Sequence, residues 1–248
     1  MSTLTEFLAQ GGLVAARGPL GISMTYWVIL GGTMLVSFLV QRKLKSRFQE
    51  YSQVSVPMTG REVAERMLKE SGIDDVQVIS VPGQLTDHYN PLKKTVNLSE
   101  PVYHMNSVAA AAVAAHECGH AVQHSKAYRW LTLRSTLVPV TSFASRTMNI
   151  VMWISLIGMF MFQMPGLLWI YVGCLSVVTL FAFITLPVEF DASKRAMVWL
   201  RSSGLAGTMQ QDKAENALFW AAMTYVAAAL SSLAMLLYYV FLLLGRRN

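Results

Sequence analysis

A chain of 248 residues that is 54% hydrophobic and only 14% charged is too apolar for an ordinary soluble domain, and its apolar residues are gathered into long runs. The net charge of +6 invites a nucleic-acid partner, but much of the excess sits beside those runs, at Arg42 to Arg47, Arg129, Arg134, Arg146, Lys194, Arg195 and Arg201. That is the pattern of membrane orientation signals, and no basic module with interleaved aromatics accompanies it, so no nucleic acid is expected as a partner. Two cysteines, Cys118 and Cys174, offer neither a disulfide framework nor metal-ligand spacing, which fits a reducing compartment.

In chain order, residues 1–21 form a polar, glycine-containing leader, and 22–41 a first transmembrane helix. The uncharged run Ile22 to Val40 is long enough for a bilayer, which needs roughly 20 apolar residues. Strong positive charge follows this run rather than precedes it, and no small-residue cleavage site stands out, so it reads as a retained signal-anchor. Residues 42–138 hold the only extended soluble stretch. Thr59 and Glu62 predict a capping box opening an amphipathic helix through Val63, Met67 and Leu68, which Gly72 stops. Val76 to Val81 and Thr95 to Leu98 read as strands, with Pro82 to Lys94 a long polar turn between them. The second strand is a candidate edge for holding an extended peptide by β-addition.

Asn106 or Ser107 can cap the next helix, 107–124, which is nearly all alanine and valine before His116 and is built to pack closely. Residues 139–188 read as a transmembrane hairpin, with helices at about 146–163 and 167–187 joined by Gln163-Met164-Pro165-Gly166. An amphipathic, charged segment, 189–216, precedes a last span, 217–244. The expected fold class is a mainly α-helical integral membrane protein, with about four transmembrane helices and a small α+β part.

The chemistry is concentrated in His116-Glu117-Cys118-Gly119-His120. In a helix the two histidines lie on one face, one turn apart, so both imidazoles can reach one zinc ion. Glu117 beside them can hold and deprotonate a zinc-activated water. An unliganded His/Glu/His cluster in a buried alanine helix would be costly to desolvate. A third protein ligand is needed. His124 continues the face, but eight residues of helix rise about 12 Å, too far to share an ion with His116. A pattern with a third histidine at 126 also fails, because Lys126 stands there. Glu189 is the leading candidate, since the hairpin from Thr147 to Leu186 leaves the catalytic side and returns to it. Asp191 faces elsewhere and reads as an outer partner of a ligand or an ion pair with Arg195; Asp212 and Glu215 are weaker. His88 and Tyr89 could supply an oxyanion donor or line the cleft. His104, His124 and Cys118 read as structural.

Four stretches together resemble the YugP-type neutral zinc metallopeptidases of bacterial membranes: Leu85-Thr86-Asp87-His88-Tyr89-Asn90-Pro91, Val96-Asn97-Leu98-Ser99-Glu100, Ala114 to Gln123, and Leu186 to Ala196. The resemblance implies a membrane-bound gluzincin in which His116, His120 and Glu189 bind one zinc ion and Glu117 is the base. A polypeptide substrate and the lipid bilayer are the expected partners, and the plasma membrane the expected location, multi-pass with the site on the cytoplasmic side. The competing class is a non-enzymatic membrane scaffold or metal-sensing protein with a structural zinc site. Glu117 separates the two, because a structural site has four protein ligands and no use for a free carboxylate.

Overall fold

The computed structural model describes residues 23–158, 165–205 and 207–245. The leader at 1–21 lies outside them, as do residues 159–162 of the second apolar run and residues 163–164 of the turn that follows it. The elements are α1 (Met24–Ser52), α2 (Gly60–Glu70), β1 (Gln77–Val81), β2 (His88–Asn90), β3 (Thr95–Ser99), α3 (Glu100–His104), α4 (Val108–Ser125), α5 (Arg129–Gly158), α6 (Pro165–Ser202) and α7 (Thr208–Gly245). They divide into two compact units. One comprises residues up to Leu39, Thr141–Thr179 and the chain from Ala227 onward; the other comprises Val40–Val140 and Leu180–Val226.

In the first unit, apolar side chains face outward as well as inward. Among the described residues, three helices are long and apolar enough to cross a membrane: Met24–Ser52, Gly166–Ser202 and Met209–Gly245. Val28, Met34, Leu35 and Phe38 of α1 are exposed, which water would penalise and lipid would not. Val151, Leu168, Val172, Leu175, Tyr238, Tyr239 and Leu243 form the buried cluster of this unit, with Tyr26 and Tyr171 against it. The sequence reading has about four spans. The described part of α5 is not among the three, because Arg129, Arg134 and Arg146 and many hydroxyl side chains interrupt it and the rest of its apolar run lies outside the described residues.

The second unit is a conventional protein core. Thr59 caps α2: its hydroxyl accepts from the Glu62 amide, and Glu62 Oε2 accepts from the Thr59 amide at 2.7 Å, completing the predicted capping box. Val63, Ala64, Met67 and Leu68 turn inward, and Gly72, with φ of +69°, takes the left-handed conformation that lets the chain leave the helix. Ser107 caps α4, whose alanines at 109–112, 114 and 115 are all buried. The helix is therefore enclosed all round, and only small side chains allow neighbours so close.

The sheet corrects one expectation. Its order is β1-β3-β2, with β1 parallel and β2 antiparallel to β3, so Thr95–Ser99 is the central strand, buried at every residue, and cannot be an edge for β-addition. The cause is β2, which lies inside the stretch read as a polar turn. Three residues are too few to display an alternating pattern, and Asn90-Pro91 behind them is a turn signal. The Asn90 side chain does make that turn, accepting from the amides of Leu92 and Lys93. Asp87 fastens the other end by accepting from the Ser99 amide at 2.7 Å.

Candidate metal centre

Two helices of the second unit make the site. α4 contributes His116, Glu117 and His120; α6 contributes Glu189, Asp191 and Ser193. α6 runs unbroken through Pro187, a residue whose missing amide is tolerated in membrane helices when neighbours take over the freed carbonyls. The two helices approach closely at Gly119: a Cβ there would lie 2.5 Å from the Ala192 carbonyl oxygen and 3.1 Å from its Cα. Only glycine permits this approach, and it brings the α6 turn from Val188 to Ser193 onto the histidine face. Gly119→Ala is expected to destabilise the protein by about 1–3 kcal/mol, as overpacking does, and to weaken zinc retention by moving Glu189. Thermal melting and metal analysis of the purified variant check this; a variant unchanged in both would show that the helices can part there without consequence.

His116, His120 and Glu189 each offer a ligand atom, and the three atoms lie within 4.8 Å of one another. His116 Nε2 is 3.2 Å from Glu189 Oε2, and His120 Nε2 is 3.6 Å from the same oxygen. The imidazoles meet edge to face, with ring centroids 4.8 Å apart. Zinc sits about 2.0–2.2 Å from imidazole nitrogen and carboxylate oxygen, so two tetrahedral ligands are about 3.3 Å apart. Both imidazole-to-carboxylate separations lie within about 0.3 Å of that value, and the donor set is of the kind zinc takes. These residues fit the ion.

The surroundings hold the three in place. His116 Nδ1 is 3.1 Å from Ser193 Oγ, and His120 Nδ1 is 3.0 Å from Gln123 Oε1. Glu189 is 2% exposed, and its second oxygen faces Arg134 Nη2 at 3.8 Å. Tyr225 on α7 directs its hydroxyl toward the same carboxylate. Burial disfavours a charged His120, but the Glu189 carboxylate facing it, together with Glu117 and Gln123, outweighs this, and its pKa is raised above the ordinary histidine value. Glu117 is buried at 8% exposure, and its carboxylate is engaged in no hydrogen bond or ion pair among the described residues. Cys118 points away, donating to the Ala64 carbonyl; burial, reinforced by Glu117, pushes its thiol pKa well above the usual range, so it is no nucleophile.

The other candidates have separate partners. His88 Nδ1 bonds the Thr86 carbonyl oxygen, and the Tyr89 hydroxyl bonds His124 Nδ1 at 2.8 Å. Asp191 pairs with Arg195 at 2.6 Å and also accepts from Gln123. Glu215 pairs with Arg201. Sequence reasoning missed Gln123, Arg134, Ser193 and Tyr225 as neighbours of the site. Two carried a signal: Gln123 is three residues after His120 and Ser193 four after Glu189, both spacings that share a helix face.

The family described as "putative neutral zinc metallopeptidase" matches residues 26–244, and the chain belongs to this family. The chain is also 43% identical, over 215 residues, to the Bacillus subtilis (strain 168) protein named "Putative membrane protease YugP"; the match covers 86% of this chain and 94% of that protein. No solved structure matches the chain.

Proposed function

We propose that this protein is a membrane-bound zinc metallopeptidase with one zinc ion held by His116, His120 and Glu189. The observation that carries the reading is the convergence of two imidazole Nε2 atoms and one buried carboxylate oxygen on a single point. A zinc ion bound there would supply Lewis acidity, the means of lowering a water's pKa toward about 7 and of polarising a carbonyl. Glu117 Oε takes a proton from the attacking water as its oxygen bonds to the scissile carbonyl carbon, and returns that proton to the amide nitrogen as the C–N bond breaks. Glu189 and the two histidines keep the site's geometry fixed while this happens, and burial of Glu117 keeps its carboxylate from being held by bulk water. A structural zinc site in a scaffold or sensor would leave Glu117 without a role. Cleavage of an unfolded polypeptide by the detergent-purified protein, abolished by a chelator, tests the reading; zinc-loaded protein that cleaves nothing would favour the scaffold.

The substrate class is polypeptide, and the topology we infer has four spans. Positive charge near span ends favours the cytoplasm. Arg42, Lys43, Lys45 and Arg47 follow the first span, Arg134 and Arg146 precede the second, and Lys194, Arg195 and Arg201 follow the third. Against these stand Arg17 and the terminal Arg246 and Arg247. The site then faces the cytoplasm, with the amino terminus outside. In a Cys118→Ser, Cys174→Ser background, an impermeant maleimide applied to intact cells should label a cysteine at position 163 and spare one at position 52. The reverse pattern would place the site outside the cytoplasm.

A further inference from the structure

Gln123 is completely buried, and its side-chain amide has three partners. Its Nε2 donates to the Val188 carbonyl and to Asp191 Oδ2, both at 2.8 Å, and its Oε1 lies 3.0 Å from His120 Nδ1. A primary amide can face two ways, and here only one is tolerable. Val188 oxygen and a carboxylate oxygen can only accept, so the NH2 group must point at them. Oε1 is then left for His120, and an oxygen can only accept, so His120 Nδ1 must carry the proton. The lone pair is consequently on Nε2, the atom that faces Glu189. Were the amide reversed, two pairs of acceptors would face each other, and Nδ1 would have to accept from the NH2 group. The proton of a neutral His120 would then sit on Nε2, where a metal ligand needs a lone pair.

From this we infer that Gln123 and Asp191 are positioning residues: Asp191, with the Val188 carbonyl, fixes the direction of the Gln123 amide, and Gln123 in turn fixes the tautomer in which His120 can bind zinc. Asp191 is itself steadied by Arg195, whose Nε donates to it at 2.6 Å. The relay therefore runs from a partly exposed ion pair, through one buried amide, to a ligand. It also gives one turn of α6 two roles, since Glu189 supplies a ligand and Asp191 orients another. The inference rests on the zinc reading above.

The test is zinc affinity of the full-length protein in detergent, measured by competition with a chromophoric chelator, with bound metal counted separately. Gln123→Met keeps the volume and removes the acceptor; it should bind zinc about 10–100-fold more weakly, the usual effect of losing a ligand's outer partner. Asp191 is partly exposed and reaches His120 only through the amide. Asp191→Leu, which removes the acceptor for Gln123 Nε2, should therefore also weaken zinc binding, whereas Asp191→Asn, which keeps an acceptor oxygen there, should stay within about 10-fold of wild type on the same scale. A packing role for Gln123 makes the two Asp191 variants alike. Wild-type affinity in Gln123→Met, or Asp191→Leu binding no more weakly than Asp191→Asn, overturns the relay while leaving the zinc site standing. Wild-type protein that binds no zinc, like the Glu189→Ala control, would overturn both.

Discussion

Glu117→Gln should keep its zinc and lose peptide hydrolysis by about 10²–10⁴-fold, the contribution usual for a positioned general base. The substitution is nearly isosteric, and residue 117 is not one of the three groups that meet at the proposed ion position. Folding and metal content are therefore expected to survive it. What disappears is a proton acceptor. The neighbouring acid on the histidine helix cannot be replaced by another, because Glu189 faces the imidazoles and Asp191 is engaged by Gln123 and Arg195. Metal analysis and a peptide-cleavage assay on the same preparation measure both quantities. A variant retaining more than about a tenth of wild-type turnover, on that scale of effect, removes Glu117 from the role of base.

Glu189→Ala has the second large effect, and it falls on the metal. Two histidines alone make a weak site, so zinc should leave during dialysis against a mild chelator that wild type withstands. The loss should exceed the roughly 10–100-fold expected when only an outer partner is removed. The fold should also suffer. Glu189 is buried beside Arg134, whose Nε is already buried without a partner, and deleting the carboxylate leaves that guanidinium facing an empty space. Breaking a buried charge pair of this kind costs about 3–5 kcal/mol, to be reduced because Arg134 is about one-third exposed and 3.8 Å away. A lowered melting temperature in the metal-free state separates this cost from loss of zinc. Retention equal to wild type would mean that the third ligand lies elsewhere.

Much of the site was legible because it is local. His116, Glu117 and His120 sit on one helix, where spacing alone determines which side chains share a face. The capping box of α2 and the Ser107 cap of α4 were readable for the same reason: a hydroxyl placed just before a helical run can reach the free amides of its first turn, and in α2 an acid three residues on closes the second bond. Glu189 was reached by counting spans, a coarser argument; what brings it to the two histidines is the close packing of α6 on α4. The roles of Gln123 and Ser193 were not legible, since they depend on the rotation of α6 against α4. That rotation is set by the contact of Gly119 with the Ala192 backbone, and nothing in a single sequence pairs those two positions. Arg134 read as a membrane orientation charge and turned out to lie beside the Glu189 carboxylate. β2 escaped for want of length, and the centrality of β3 followed from missing it.

The central claim is that one zinc ion on His116, His120 and Glu189 enables Glu117 to drive peptide hydrolysis. Its most direct test is to strip metal from the full-length protein in detergent, add zinc in increments, and follow cleavage of an unfolded polypeptide. Cleavage should be absent at the start, rise in proportion to added zinc, and level off at one equivalent per chain. Cleavage that persists in the stripped protein, or that never appears as zinc fills the site, would contradict it.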